Sequence, residues 1–258
     1  MTQPQHITSR DNPLLQRLRK LSQDSGGYRK LGEVWLEGDH LCRSAVQRGR
    51  AVTQAVLTEE AWNDAALREL AEVASRIAIV PRPLFRGLTT LESPSGIGFV
   101  LALDAQPTLR PVAAAVILDR LQDAGNVGSI LRSAAAFGVA QVLALKGTAA
   151  LWSPKVLRAA MGAHFGLGLV EGLVLNDLDA LQIALVGTSS HAKDLVHDVS
   201  LPHPCAWVLG HEGQGIDAQL LQRCSMLVRI PQPGGEESLN VVAAAAICLY
   251  ESSRQHSA

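Results

Sequence analysis

The sequence predicts an α/β protein whose larger, C-terminal part is a parallel sheet covered on both faces. Three observations predict it. Five short apolar runs, AAAVIL (113–118), VAQVLAL (139–145), IALVG (183–187), CAWVLG (205–210) and MLVRI (226–230), are uninterrupted by the polar alternation of a half-exposed strand, as expected for strands buried on both faces. Helical patterns lie between most of them, and alternating strands and helices imply an α/β fold. Glycine gathers in the segments that follow the runs, where it permits positive φ and lets a ligand approach the backbone closely.

Taken in order, the chain opens with a basic helix at 12–22 and a strand, VWL, at 34–36. The helical DHLCRSAVQRG (39–49), the strand AVTQAVLT (51–58), the helix EEAWNDAALRELAEVASR (59–76) and the strand IAIV (77–80) follow and make a small α/β unit. DAQPTLRP (104–111) carries two prolines between apolar segments, which predicts an extended linker and places the boundary between domains 1–108 and 109–258. In the second domain a helix at 127–137 puts Ile130, Leu131, Ala134 and Ala135 on one stripe. Another opens at Ser153-Pro154, an N-cap followed by proline at the first helical position. A third starts near Ser238 and continues through NVVAAAAICLYE.

Composition bounds the partners. With 47% hydrophobic and 18% charged residues over 258 positions, the chain is large enough for one or two cores and has the make-up of a soluble globular protein. No apolar run approaches the roughly 18 residues of a membrane span, and the start MTQPQHITSRDNP lacks the pattern of a secretory signal, so a cytoplasmic protein is expected. Cys42, Cys205, Cys224 and Cys248 form no CxxC pair and are expected to be reduced thiols rather than a zinc ribbon or disulfide frame. His191, His197 and His203, with Cys205 nearby, fit neither a helix face nor a zinc finger, and no metal is expected there. Residues 1–50 hold nine Lys or Arg against five Asp or Glu, whereas the whole chain has a formal charge of −1. Arg17, Arg19, Lys20, Arg29 and Lys30 are therefore the candidates for neutralising RNA phosphates, although a basic helix face is often only solvated.

Ligands of open α/β sheets lie outside the carboxyl ends of the strands. The loops there read DRLQDAGNVGS, TSSH, HEGQGI and PQPGGEESLN. GxGxxG, the GxxxxGK[ST] phosphate loop and the GxSxG elbow are all absent after the runs. Three segments instead carry a specific combination. GNVGSILRSAAAFG contains Asn126 and Arg132; LGHEGQGI contains Gly210, Glu212 and Gly215; IPQPGGEESLNVVAAAAI contains Ile230, Ser238, Leu239 and Asn240. With these three motifs in order, residues 113–252 resemble the SpoU (TrmH) ribose 2′-O-methyltransferases of the SPOUT superfamily. Around VWLEGDHLCRSAV the chain is similar, more weakly, to that family's ribosomal-protein-like substrate-binding domain.

The resemblance implies a deep trefoil knot, a homodimer, S-adenosylmethionine as cofactor and structured RNA as substrate, with no metal and no membrane. Thr188, Gly210, Ile230, Ser238 and Leu239 would hold the cofactor. Arg132, Asn126, Glu212, Ser238 and Asn240 would form the catalytic pocket, with Arg132 stabilising the developing alkoxide, since a guanidinium is a poor base. Helix capping is the plain alternative for Asn126 and Ser238. Gln232 stands where the family usually has Met, and Val242 where it commonly has Ser. A separate N-terminal domain favours ribosomal RNA over tRNA, and a non-catalytic RNA-binding protein of the same fold is the alternative from another class.

Overall fold

A computed structural model describes residues 3–103, 107–234 and 238–256. Residues 104–106 of the expected linker and 235–237 of the third motif lie outside the described residues. The chain forms two compact units, one of Met1–Ala105 with Trp152–Phe165, the other of Gln106–Leu151 with Gly166–Ala258.

The first unit runs β1 (Gln5–His6), α1 (Pro13–Gln23), α2 (Gly27–Leu31), β2 (Glu33–Glu37), α3 (Asp39–Gln47), β3 (Gln54–Thr58), α4 (Glu59–Asn63), α5 (Ala65–Ala71), β4 (Ile77–Val80), α6 (Arg82–Arg86) and β5 (Ile97–Ala102). Its mixed sheet has the order β1-β4-β3-β5-β2. The basic helix forms where expected because Asn12 caps it, accepting from the Leu14 amide at 2.9 Å, and Pro13 supplies the fixed φ of a first turn. Leu15, Leu18 and Leu21 are buried at helical spacing, each contributing about 1.5–3 kcal/mol, which leaves Lys20 exposed and Arg17 and Arg19 half-buried. The single helix expected over 59–76 is two. Asp64 leaves the helical region and its carboxylate caps α5 instead, accepting from Ala66 and Leu67; Asp competes with the helix for backbone donors in this way.

The second unit runs β6 (Ala115–Leu118), α7 (Ala124–Ala136) and β7 (Gln141–Leu145) before the chain departs to the first unit for α8 (Pro154–Ala160). Ser153 precedes Pro154 as expected, but its side chain makes no capping bond. The chain resumes with β8 (Gly168–Leu173), β9 (Ala184–Thr188), β10 (Asp194–Leu195), β11 (Cys205–Leu209), α9 (Ala218–Arg223), β12 (Met226–Arg229) and α10 (Val241–His256). All five apolar runs are strands, in a sheet of order β10-β12-β9-β11-β6-β7-β8. Every pairing in it is parallel. Val127, Ile130, Leu131 and Ala134 of α7 are buried, as are Ala245, Cys248 and Leu249 of α10, where the two helices pack together. Ile117, Leu143, Ala206 and Val208 belong to a core cluster with Leu178 and Leu220 from the connections.

The four cysteines are unpaired. Burial pushes the Cys205 and Cys224 thiols up to about 11 and Cys248 up to about 12, so they are protonated at neutral pH. Among the described residues no helix is long and apolar enough to cross a membrane, and no group of His, Cys, Asp and Glu is arranged to hold a metal ion.

Candidate active site

The loops that follow β6, β9, β11 and β12 lie at one edge of the sheet, because parallel strands deliver their carboxyl ends to the same side. Register brings three of them level. Thr188 pairs with Val228 of β12, and Gly187 with Val208 of β11, so Thr188, Gly210 and Ile230 stand within two residues of one another along neighbouring strands. All three are half-buried. Leu239, 38% exposed, precedes α10.

The loop after β11 is a closed turn. His211 and Gly215 exchange backbone hydrogen bonds of 3.0 and 2.8 Å, and the His211 Nδ1 accepts from the amides of Gly213 and Gln214 at 3.0 and 3.3 Å, which places the proton of a neutral ring on Nε2. Gly210 is required by the return of this turn, since a Cβ there would lie 2.2 Å from the Ile216 nitrogen and 2.3 Å from the Gly215 carbonyl carbon. Gly215 has φ +70°, a region that disfavours side chains.

Glu212 projects from this turn to the loop after β6. Its Oε2 accepts from the Gln122 amide at 3.3 Å, and its Oε1 from the Asp123 amide and the Asn126 Nδ2, each at 3.2 Å. Burial is the largest single influence on this carboxyl and acts upward, but the hydrogen bonds from its own backbone amide, Asn126, Asp123 and Gln122 together outweigh it and hold Glu212 below the usual carboxylate range. It is an anion fastening two loops. Asn126 is thus brought to Glu212 and is not the cap of its helix; Asp123 is, accepting from the Asn126 amide at 2.7 Å. Asn240 caps α10, accepting from the Val242 amide at 2.8 Å, so that helix begins at Val241 rather than near Ser238. The capping alternative therefore applies to neither Asn126 nor Ser238.

Arg132 is exposed on α7. Six residues place it about 120° around the helix and about 9 Å along it from Asn126, and the Asn126 side chain is turned to Glu212 instead. Neither Arg132 nor the exposed Ser238 is hydrogen-bonded to Asn126 or Glu212 among the described residues. The structure joins Asn126 with Glu212 directly, and sets Arg132 on α7 and Asn240 at the cap of α10, two helices that pack together.

Two further residues escaped sequence reasoning. Asp119, 1% exposed, follows β6 and takes Arg120 in a bidentate pair, accepting from Nε at 2.8 Å and Nη2 at 3.1 Å. Its Oδ2 also accepts from the Asp217 amide at 2.7 Å. Arg120, at φ +59°, reaches Gln214 through Nη1 at 3.3 Å, and its hydrogen bond to Asp119 raises its pKa further. A charged pair immediately after an apolar run was the available signal.

In the first unit, the five basic candidates differ. Arg17 lies 3.3 Å from the Glu33 carboxylate and is drawn into the fold. Arg19 donates to the Arg10 carbonyl at 2.9 Å, and Arg29 lies over the Tyr28 ring. Arg29, Lys20 and Lys30 are exposed.

Comparison with known proteins adds a lineage to this geometry. The model of the SpoU rRNA Methylase family matches residues 113–250. An uncharacterized tRNA/rRNA methyltransferase of Synechocystis sp. is 32% identical over 257 residues, covering 96% of this chain and 93% of that one. The 23S rRNA (guanosine(2553)-2′-O)-methyltransferase RlmP of Bacillus subtilis is 29% identical over 86% of this chain and 88% of its own. Among solved structures, the SpoU methyltransferase AviRb from Streptomyces viridochromogenes, in complex with the cofactor AdoMet, superposes with a TM-score of 0.84 at 26% identity, over 96% of this chain and 99% of that one. An RNA 2′-O ribose methyltransferase gives 0.81 at 29% identity, over 98% and 100%.

Proposed function

The chain belongs to the SpoU rRNA methylase family, and on that premise we propose that it methylates a ribose 2′-hydroxyl of structured RNA from S-adenosylmethionine, with ribosomal RNA favoured over tRNA. The observation that carries this reading is the Glu212 tie between the first and second motifs, beside a level rim of three strand ends. The rim fits the cofactor in kind: Thr188, Gly210 and Ile230 offer backbone groups and aliphatic surface, suited to an adenosine and a methionine tail, and Ser238 and Leu239 complete the proposed site. When bound, S-adenosylmethionine supplies an electrophilic methyl group.

The chain's own residues do the rest. Glu212 holds the first and second motifs together, so the side chain of Asn126 is pre-oriented. Arg132, protonated and with its donors uncommitted among the described residues, stabilises negative charge as the 2′-hydroxyl loses its proton and grips the adjacent phosphate. The proton passes to phosphate or water, because a guanidinium is not a base. Asn240 fixes the start of α10 and closes the pocket with Ser238. Positioning of this kind supplies about 7–11 kcal/mol of a barrier.

The finer features belong to the same proposal. The trefoil knot is supported by the match to SpoU structures along nearly the whole chain, and an experimental chain trace through 230–256 tests it. A homodimer is supported by Ile247 and Tyr250, apolar or aromatic yet 39% and 56% exposed on α10. Residues 1–108 serve as the RNA-binding domain, with Lys20, Arg29 and Lys30 facing phosphate, in a cytoplasmic protein. The relatives named for 23S rRNA support ribosomal RNA as the target. Methyl transfer from labelled S-adenosylmethionine to total RNA from a strain lacking the protein tests the function. Labelling of one ribosomal ribose is the expected result, labelling of tRNA moves the substrate, and no label despite cofactor binding favours an RNA-binding protein without catalysis.

A further inference from the structure

A cleft of about 390 Å³ opens at the carboxyl ends of β6, β7 and β8, along the same edge of the sheet as the rim of β9, β11 and β12 and next to it. Leu173 and Val174 give it an apolar wall, and Arg120, Lys146, Asn176 and Asp217 line its polar side. We infer that this cleft receives one unstacked nucleotide of the RNA, a neighbour of the methylated one, with its base on the apolar wall and its phosphate at Lys146. The inference rests on the proposed methyltransferase reading and names a contact for its substrate.

Four observations carry it. The volume lies within the range of small-ligand sites and at the strand ends where α/β ligands bind. Val174 is 42% exposed although apolar, while its amide is tied to the Asp177 carboxylate at 2.7 Å, so the wall's backbone is held while its side chain is uncovered. Lys146 is exposed and its ammonium has no partner among the described residues; its backbone amide is anchored on the Leu173 carbonyl at 2.9 Å. Finally, the cleft is wired to the candidate active site. Arg120 touches Gln214, and Asp119 accepts from the Asp217 amide, so the C-terminal arm of the turn that carries Glu212 is gripped at two points from the cleft wall. Single-stranded RNA is recognised through splayed bases stacked on aromatic rings or Arg guanidinium planes, with phosphates on cations; here Arg120 is the planar group in the lining, beside the aliphatic wall. The charges here are nearly balanced, Asp119 against Arg120 and Asp217 against Lys146, which suits a base with one phosphate and disfavours a run of phosphates. S-adenosylmethionine is the competing occupant.

The test uses the full chain with Lys146→Ala and Val174→Asp, both surface substitutions. RNA affinity, its salt dependence and cofactor affinity are measured on the same preparations. Each variant is expected to bind the RNA substrate about tenfold more weakly, with S-adenosylmethionine affinity unchanged. For Lys146→Ala the slope of log K against log salt should fall by about 0.7, the share of one single-strand phosphate. A photo-crosslinking residue placed at 174 should label a nucleotide near the methylated ribose. Unchanged RNA affinity in both variants overturns the inference, as does weakened cofactor binding with RNA affinity intact. If the wild type methylates RNA while the variants bind it normally, the cleft assignment falls alone. If the wild type methylates no RNA, the function falls first, and the absence of a crosslink removes the cleft with it.

Discussion

Gly210 leaves no room for a methyl group, because the backbone of Gly215 and Ile216 already occupies the place. Gly210→Ala is expected to cost on the order of 1–3 kcal/mol and to abolish cofactor binding, which thermal unfolding and titration calorimetry together would show. Arg132 sits on a well-packed helix but is itself exposed, so Arg132→Lys should leave folding and cofactor affinity intact while lowering turnover about 100-fold or more, the usual loss when a donor to a developing anion is removed. Full activity in that variant would end its assigned role. Glu212 titrates below the ordinary carboxylate range in the folded chain. Its ties therefore contribute stability above the unfolded value of about 4.3, and that contribution disappears as pH falls through the lower, folded value. The Asn126 side-chain amide resonances should shift in that acid window, and Glu212→Gln should remove the transition. The motifs made Asn126 and Glu212 legible in the sequence, but not their mutual bond, which joins residues 86 positions apart. Asp119 and Arg120 were hidden by ordinariness: a charged pair after a strand reads as a turn until its burial is known.

Among the elements, those dominated by one pattern were legible and those made by their neighbours were not. The five apolar runs declared five strands of the parallel sheet. β8, GLVEGL, carries two glycines and a glutamate, yet it forms because it is an edge strand with a single partner, β7, where such residues are tolerated. The break between α4 and α5 depended on Asp64 choosing to cap rather than continue a helix. Asp64→Ala is expected to cost about 1 kcal/mol, measurable by denaturant unfolding. Asn240 is a cap as well, and it stands in the third motif. Asn240→Ala should therefore lose about 1 kcal/mol of stability and also weaken activity; a loss of stability with full activity would leave Asn240 only its capping role.

For the whole molecule, the division into domains 1–108 and 109–258 remains a proposal for RNA binding and catalysis, while the compact units divide the chain differently: residues 152–165 group with the first unit. A proline-rich linker is visible in a sequence, whereas an excursion from inside one unit into another carries no local mark. Val156, Leu157 and Ala160 of α8 are buried there. A fragment beginning at residue 106 should consequently expose that apolar helix, exchange its amides rapidly and aggregate more readily than the full chain. Protection of α8 equal to that in the full chain would show that it needs nothing from residues 1–105. If Ile247 and Tyr250 cover each other across a homodimer, Ile247→Asp should yield monomers in sedimentation.

The same excursion sets a timetable during synthesis. When residue 105 has been made, the first unit still lacks Trp152–Phe165, and it must wait for the 60 residues from 106 to 165, roughly 3–12 s at about 5–20 residues per second. Throughout that interval the sites that α8 will cover stand open on the nascent chain, while β6, α7 and β7 emerge without most of their sheet. The first unit is thus completed only after the second has begun, and the second stays unfinished until Gly166–Ala258 have followed.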